Sequence, residues 1–141
     1  MSLDPNDFTF DQFNAAVDRQ IETYRFCLIS INGDVDSSPF TYTAGLTLHG
    51  YPELLLIDDS LSVDDRAWAI QSTAFEFFKE DGWLEWIYRP DVISVKFSLA
   101  NKFSFIITKC DLEEARPYAA NSFYRYEHIG LKFLKLKLVR G

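Results

Sequence analysis

The four residues Leu54-Leu55-Leu56-Ile57, framed by Pro52 and Asp58, put an apolar side chain at every position. Strand side chains alternate between faces, so a run of this kind is apolar on both and belongs at the centre of a sheet. The segment before it follows a different rule. Phe40, Tyr42, Ala44, Leu46 and Leu48 fall on one face of a strand, and Thr41, Thr43, Gly45 and Thr47 on the other. The four residues His49-Gly50-Tyr51-Pro52 separate the two runs, a length that predicts an antiparallel hairpin. The stretch Pro39–Asp58 is therefore read as a hairpin at the heart of a sheet, with a hydroxyl-bearing face.

Period decides the neighbouring elements. Phe10, Phe13, Val17, Ile21 and Tyr24 recur at helical spacing, which predicts a helix over 10–24 with Thr9 and Gln12 as its capping box. Residues 25–31 read as a strand and 32–39 as a polar turn. Ser62 caps a second helix whose first turn holds Asp64 and Asp65. Its buried stripe is Ala67, Ile70, Ala74, Phe77 and Phe78, and Gly82 is its expected stop. Residues 83–88 suggest a short strand, and 92–99 and 103–109 form a second hairpin around Ala100-Asn101-Lys102. A short helix is expected from Leu112 to about Phe123, with Pro117 inside it, and a last strand at 131–139. The slip in alternation between Phe133 and Leu134 suggests a bulge there. The order α-β-β-β-α-β-β-β-α-β predicts an α+β fold: a mainly antiparallel sheet of about six to seven strands, open to strong curling, with two to three helices on one face. The 141 residues read as a single domain, with residues 1–8 as a flexible or expression-derived lead.

Hydrophobic residues make up 48% of the chain, enough for a core, yet no apolar run approaches the roughly 20 residues of a membrane helix. The start, MSLDPNDFTFD, lacks the pattern of a secretory signal, so a cytoplasmic location without membrane partners is expected. Cys27 and Cys110 sit in apolar runs and read as structural thiols, a disulfide being the alternative. The net charge of −7 divides into −12 over residues 1–115 and +5 from Arg116 onward. The acidic majority argues against general nucleic-acid binding.

The hairpin also carries a resemblance. Pro39, Phe40, Tyr42, Thr43, Gly45 and Leu46, followed by Gly50, Pro52, Glu53 and Leu54, resemble the signature of a mostly bacterial domain-of-unknown-function family, number four-two-six-two. The following helix and a late tyrosine-containing helix before a last strand are similar in order. Members of that family often run on into a Trp-Pro-containing tail where this chain reads LKLVRG. The family has no established activity, so the resemblance implies a place to look and no reaction.

Candidate chemistry centres on the same stretch. Thr43, Thr47 and His49, with Tyr42 beside them and Gly45 leaving a gap, could line a small polar ligand site. The alternative is that Gly45 accommodates a crossing helix or a bulge. His49 and Glu53 flank the loop as a possible acid-base pair, the carboxylate orienting the imidazole. The alternative is that Glu53 accepts from loop amides while His49 packs at the turn. His49 and His128 have no ligand-pair spacing, so no metal site and no cofactor are expected, although Asp34, Asp36, Asp58 and Asp59 could hold a hard cation if brought together. Lys132, Lys135, Lys137 and Arg140 read either as edge protection or as an anion patch. Trp83, Trp86 and Tyr88 suggest a self-association surface or core filling. These features favour a non-catalytic domain that binds a small polar ligand or a protein partner, itself included. A small-molecule enzyme using His49 and Glu53, and an acidic inhibitor or immunity-type protein for a basic partner, are the alternatives.

Overall fold

The computed structural model of the protein describes residues 2–79, 94–99 and 103–139. Among the described residues six strands, β1 (Cys27–Ile31), β2 (Phe40–Ala44), β3 (Glu53–Ile57), β4 (Ser94–Leu99), β5 (Phe103–Cys110) and β6 (Phe133–Leu138), form one open sheet. Their spatial order is β1-β2-β3-β6-β5-β4. The α+β class stands, but the sheet is mixed. Its two antiparallel blocks are joined by a parallel pair, Glu53 against Phe133 through Leu56 against Leu136. Hairpin reasoning fixes only sequence neighbours, and β6 reaches β3 after more than seventy intervening residues, so its direction was not readable from turn lengths.

Among the described residues the helices α1 (Phe10–Tyr24), α2 (Val63–Phe77), α3 (Leu112–Ala115) and α4 (Ala120–Tyr126) number four rather than two to three, and they cover both faces rather than one. On one face α2 lays Ala67, Ala69, Ile70, Ala74 and Phe77 over Leu28, Leu54, Leu56, Leu134 and Leu136. On the other, Phe13 and Val17 of α1 and Phe123 and Tyr126 of α4 meet Cys27, Ile29, Tyr42, Leu55 and Phe133. This two-sided cover is what the all-apolar β3 requires: Leu54, Leu55 and Leu56 are all fully buried. It also removes the expected bulge. Phe133 and Leu134 point into different cores, and β6 keeps unbroken register with β5 from Phe105–Leu138 to Cys110–Phe133.

Local chemistry sets the element ends. α1 starts at the reciprocal Thr9–Gln12 capping box and ends where Arg25 turns to a positive φ of 78°. Ser62 Oγ accepts the Asp65 N–H at the start of α2. The helix expected over 112–123 is two, because the chain around Pro117 cannot continue the first. The leading residues are tied to the sheet: the Leu3 N–H donates to the Leu28 carbonyl and the Ser30 N–H to the Leu3 carbonyl, each at 2.8 Å. The strand expected at 83–88, the Gly82 stop and the turn at 100–102 lie outside the described residues, as do the tryptophans Trp83 and Trp86.

Candidate functional site

The hydroxyl-bearing strand ends earlier than its alternation suggests. β2 stops at Ala44, Gly45 takes a φ of 114°, and Leu46–His49 form a 3-10 turn closed by Gly50 at a φ of 80°. A Cβ on Gly45 would lie 3.0 Å from the Arg25 carbonyl oxygen, from Ile21 Cγ1 and from Phe26 Cα. The gap is thus filled by the end of α1, the crossing-helix alternative, and is closed to a ligand. Leu46 and Leu48 part company in the turn: Leu46 is fully buried while Leu48 is 58% exposed.

Beneath this turn lies Glu53, fully buried at the start of β3. Its Oε1 accepts from Thr43 Oγ1 at 2.7 Å and from the Leu46 N–H at 3.2 Å. Its Oε2 accepts from the Thr47 N–H at 2.8 Å and from Thr47 Oγ1 at 2.6 Å. Thr43 Oγ1 in turn accepts the Leu54 N–H at 2.9 Å, so its own proton is committed to Glu53. Burial pushes the Glu53 carboxyl above its ordinary range, and the Thr47 and Thr43 donors oppose that rise. The carboxylate acts as a cap for the turn: four donors, two on each oxygen.

His49 is exposed, and its ring stands edge-on to Phe78 with centroids 5.2 Å apart. The hydrogen bonds that hold Glu53 come from Thr43, Leu46 and Thr47, so the two flanking groups are engaged in different directions. Phe78 is a hub: Tyr51 also meets it edge-on, the Arg25 guanidinium lies 5.1 Å over its ring, and Phe26 stacks on it at 6.3 Å. Tyr42 points away from this cluster into the opposite core. Its hydroxyl accepts the Asn121 N–H at 3.2 Å, and burial raises its pKa. Thr41 bonds Ser30 Oγ at 2.8 Å and receives Arg66 Nε at 3.4 Å. The five ligand-site candidates of the hairpin therefore divide among four surroundings: Thr43 and Thr47 converge on Glu53, Gly45 abuts the end of α1, Tyr42 enters the far core, and His49 joins the rim.

Several contributors have no signal in spacing. Arg66, buried in the first turn of α2, donates to the Leu61 carbonyl at 2.7 Å and the Asp58 carbonyl at 3.3 Å, pinning the loop after β3. Desolvation lowers its pKa, which remains that of a cation by type. Arg125 of α4 donates to Asp18 Oδ1 at 2.6 Å, to the Asn14 carbonyl at 3.0 Å and to Asn121 Oδ1 at 2.7 Å, clamping α4 to α1. Pairings 107 residues apart leave no local trace.

The other predicted groups are also placed. Asp34 accepts from the Asp36 N–H and from Ser37 Oγ, a local turn, and with Asp36 and Asp59 it borders one shallow concavity. Among the described residues no group of three or more His, Cys, Asp or Glu side chains is gathered for a cation. Edge protection is not the role of Lys132, Lys135 and Lys137, because β6 runs between β3 and β5 in the interior of the sheet. Lys135 lies 3.9 Å from Glu114, and Arg140 is outside the described residues. Cys27 and Cys110 are free, buried thiols. Among the described residues no helix is long and apolar enough to cross a membrane.

One further concavity, of about 210 Å³, opens between α1 and α2 beside the edge strand β1. Gln20, Tyr24, Phe26, Leu28, Gln71 and Phe75 line it. Comparison of the chain with family models, with curated proteins and with solved structures finds no match in any of the three. The resemblance of the Pro39–Leu54 stretch rests on its own residues alone.

Proposed function

We propose that the protein is a non-catalytic binding domain for a small ligand, with the Pro39–Asp58 hairpin as the rigid support of its binding surface. The observation that carries this reading is the saturation of Glu53. A general base needs a lone pair turned towards the substrate, and both Glu53 oxygens are occupied by two internal donors each. The group that orients His49 in the enzymatic alternative is thereby spent on folding the turn. What remains exposed at the tip is Leu48 and His49, the His49 ring standing against Phe78, which stacks on Phe26 in the floor of the α1–α2 cleft. A cytoplasmic location belongs to the same reading, and the two unpaired thiols support it.

The test is a turnover screen with chromogenic esters, phosphomonoesters and glycosides, run on wild type and on His49→Ala. No turnover above background is expected. A rate that disappears in His49→Ala would overturn the reading in favour of the acid-base alternative. Self-association is a second reading, favoured by the exposed Phe10 and Tyr124 rings, which meet edge-on at 5.4 Å across α1 and α4. Sedimentation velocity of wild type and Tyr124→Ala decides it: a dimer that dissociates in the variant supports it, and a wild-type monomer at high concentration refutes it.

A further inference from the structure

The cleft between α1 and α2 deepens the binding reading, on which this inference rests. Its floor is Phe26 and Leu28, both buried, and its rim carries Tyr24 and Phe75, 60% and 46% exposed. Phe26 and Phe75 already meet edge-on, with centroids 5.7 Å apart, so a ring entering the cleft finds aromatic surface on the floor and on the wall. Two half-buried amides, Gln20 from α1 and Gln71 from α2, complete the lining. Neither makes a hydrogen bond to the described residues. Each amide offers one acceptor and one donor group, a pairing that matches an N–H beside a C=O or a ring nitrogen. None of the six lining residues is charged, so an ionic ligand would give up hydration without gaining a partner. The volume of about 210 Å³ is below the roughly 300–1,000 Å³ of sites for drug-sized molecules, which limits the occupant to one or two fused rings.

We propose that this cleft binds a small, neutral, planar heteroaromatic compound, stacked against Phe26 and Phe75 and read along its donor–acceptor edge by Gln20 and Gln71. The ligand class follows from the lining: aromatic surface selects a flat ring, paired amides select a polar edge, and the absence of charge selects neutrality. The hairpin supports this site from behind, since Gly45 packs against Phe26 Cα and His49 against the Phe78 ring that stacks on Phe26.

The experiment is a titration of the isotope-labelled full chain with uracil, nicotinamide and indazole, followed through the side-chain amide signals of Gln20 and Gln71 and the ring signals of Phe26 and Phe75. Toluene serves as the apolar ring without an edge, and benzoate as a charged ring of similar size. At least one of the three heteroaromatics is expected to saturate these signals, at a dissociation constant on the order of 0.1–1 mM for so few atoms. Gln71→Leu should weaken that ligand about fivefold, the worth of one hydrogen bond, and Phe75→Ala more. Both positions are partly exposed, and an unchanged melting midpoint verifies that each variant folds. No saturation by any of the three, toluene binding as tightly as they do, or binding unchanged in Gln20→Leu/Gln71→Leu would each overturn the proposal. Failure of the cleft leaves the turnover screen silent, whereas turnover lost in His49→Ala overturns the non-catalytic reading without moving the cleft signals.

Discussion

Replacing Glu53 by Gln exchanges one carboxylate oxygen for an NH2 group at almost unchanged volume, so it isolates what the carboxylate does under the turn. The two oxygens accept from one backbone N–H and one hydroxyl each: Leu46 and Thr43 on one side, Thr47 twice on the other. A glutamine has one acceptor oxygen. Whichever way the amide is turned, its NH2 group faces a backbone N–H that cannot rotate away. One buried donor left unsatisfied costs about 1–3 kcal/mol, and the remaining bonds lose the charge that made them worth roughly 1.5–3 kcal/mol instead of 0.5–1.5. A total of about 2–4 kcal/mol follows, or roughly 6–16 °C in melting midpoint for a domain of this length. Thermal and urea unfolding at neutral pH measure it directly. A midpoint within about 2 °C of wild type would refute the reasoning, because it would mean that the four contacts to Glu53 carry little. The pH dependence gives an independent check on sign. An ordinary glutamate titrates near 4.5, and burial raises the folded-state value of Glu53. The stabilisation linked to this group is therefore complete below about 4.5 and is lost as pH rises through the folded value, so the gap between wild type and the variant narrows upward in that window. A gap that widens instead would show that the four donors outweigh desolvation.

Other positions give sharp expectations. Gly45→Ala forces a side chain into a φ of 114° with three atoms at 3.0 Å, two of them backbone, and should cost about 2–4 kcal/mol by urea unfolding. Arg125→Ala should cost about 2–3 kcal/mol, because it strips partners from Asn14, Asn121 and Asp18 together. Asp18→Ala should cost less than about 1 kcal/mol, since Asp18 is 66% exposed and its ion pair is solvent-screened. Burial pushes both Cys27 and Cys110 up to about 12, so neither should react with a thiol reagent at pH 8 until denaturant is added; prompt labelling of two thiols in the folded protein would contradict the packing. Thr9→Ala, which opens the capping box of α1, should lower stability by about 1 kcal/mol, read from the same unfolding curves.

Legibility in the sequence tracked the range of the interaction. The helix over 10–24 matched its periodicity to the residue, because Thr9, Gln12 and the stripe from Phe10 to Tyr24 all lie within a few turns of one another. β3 was readable as a central strand because its covering on two faces is written into four consecutive side chains. β2 was read four residues too long: Leu46 and Leu48 keep strand-like alternation, and only the carboxylate of Glu53, reached through the fold, shows that residues 46–49 coil around an acceptor. The hydroxyl face was found, and its two outcomes were both legible, but choosing between an open site and an internal cap required knowing what filled the space beside Gly45. That answer came from Ile21, Arg25 and Phe26, which no local pattern connects to the hairpin. The amide-lined cleft was not legible at all, since Gln20 and Gln71 are ordinary helix surface residues until helices on opposite faces of the sheet meet the edge strand β1.

The parallel seam between β3 and β6 also orders events during synthesis. The block β1-β2-β3 and the hairpin β4-β5 can each pair as they emerge, yet they present facing rows of unpaired backbone groups across one vacant lane. Only residues 133–138 fill it, pairing with β3 on one side and β5 on the other. Until that late segment leaves the ribosome the inner edges of β3 and β5 stay open, so the step that joins the halves is also the step that closes those two edges to other chains.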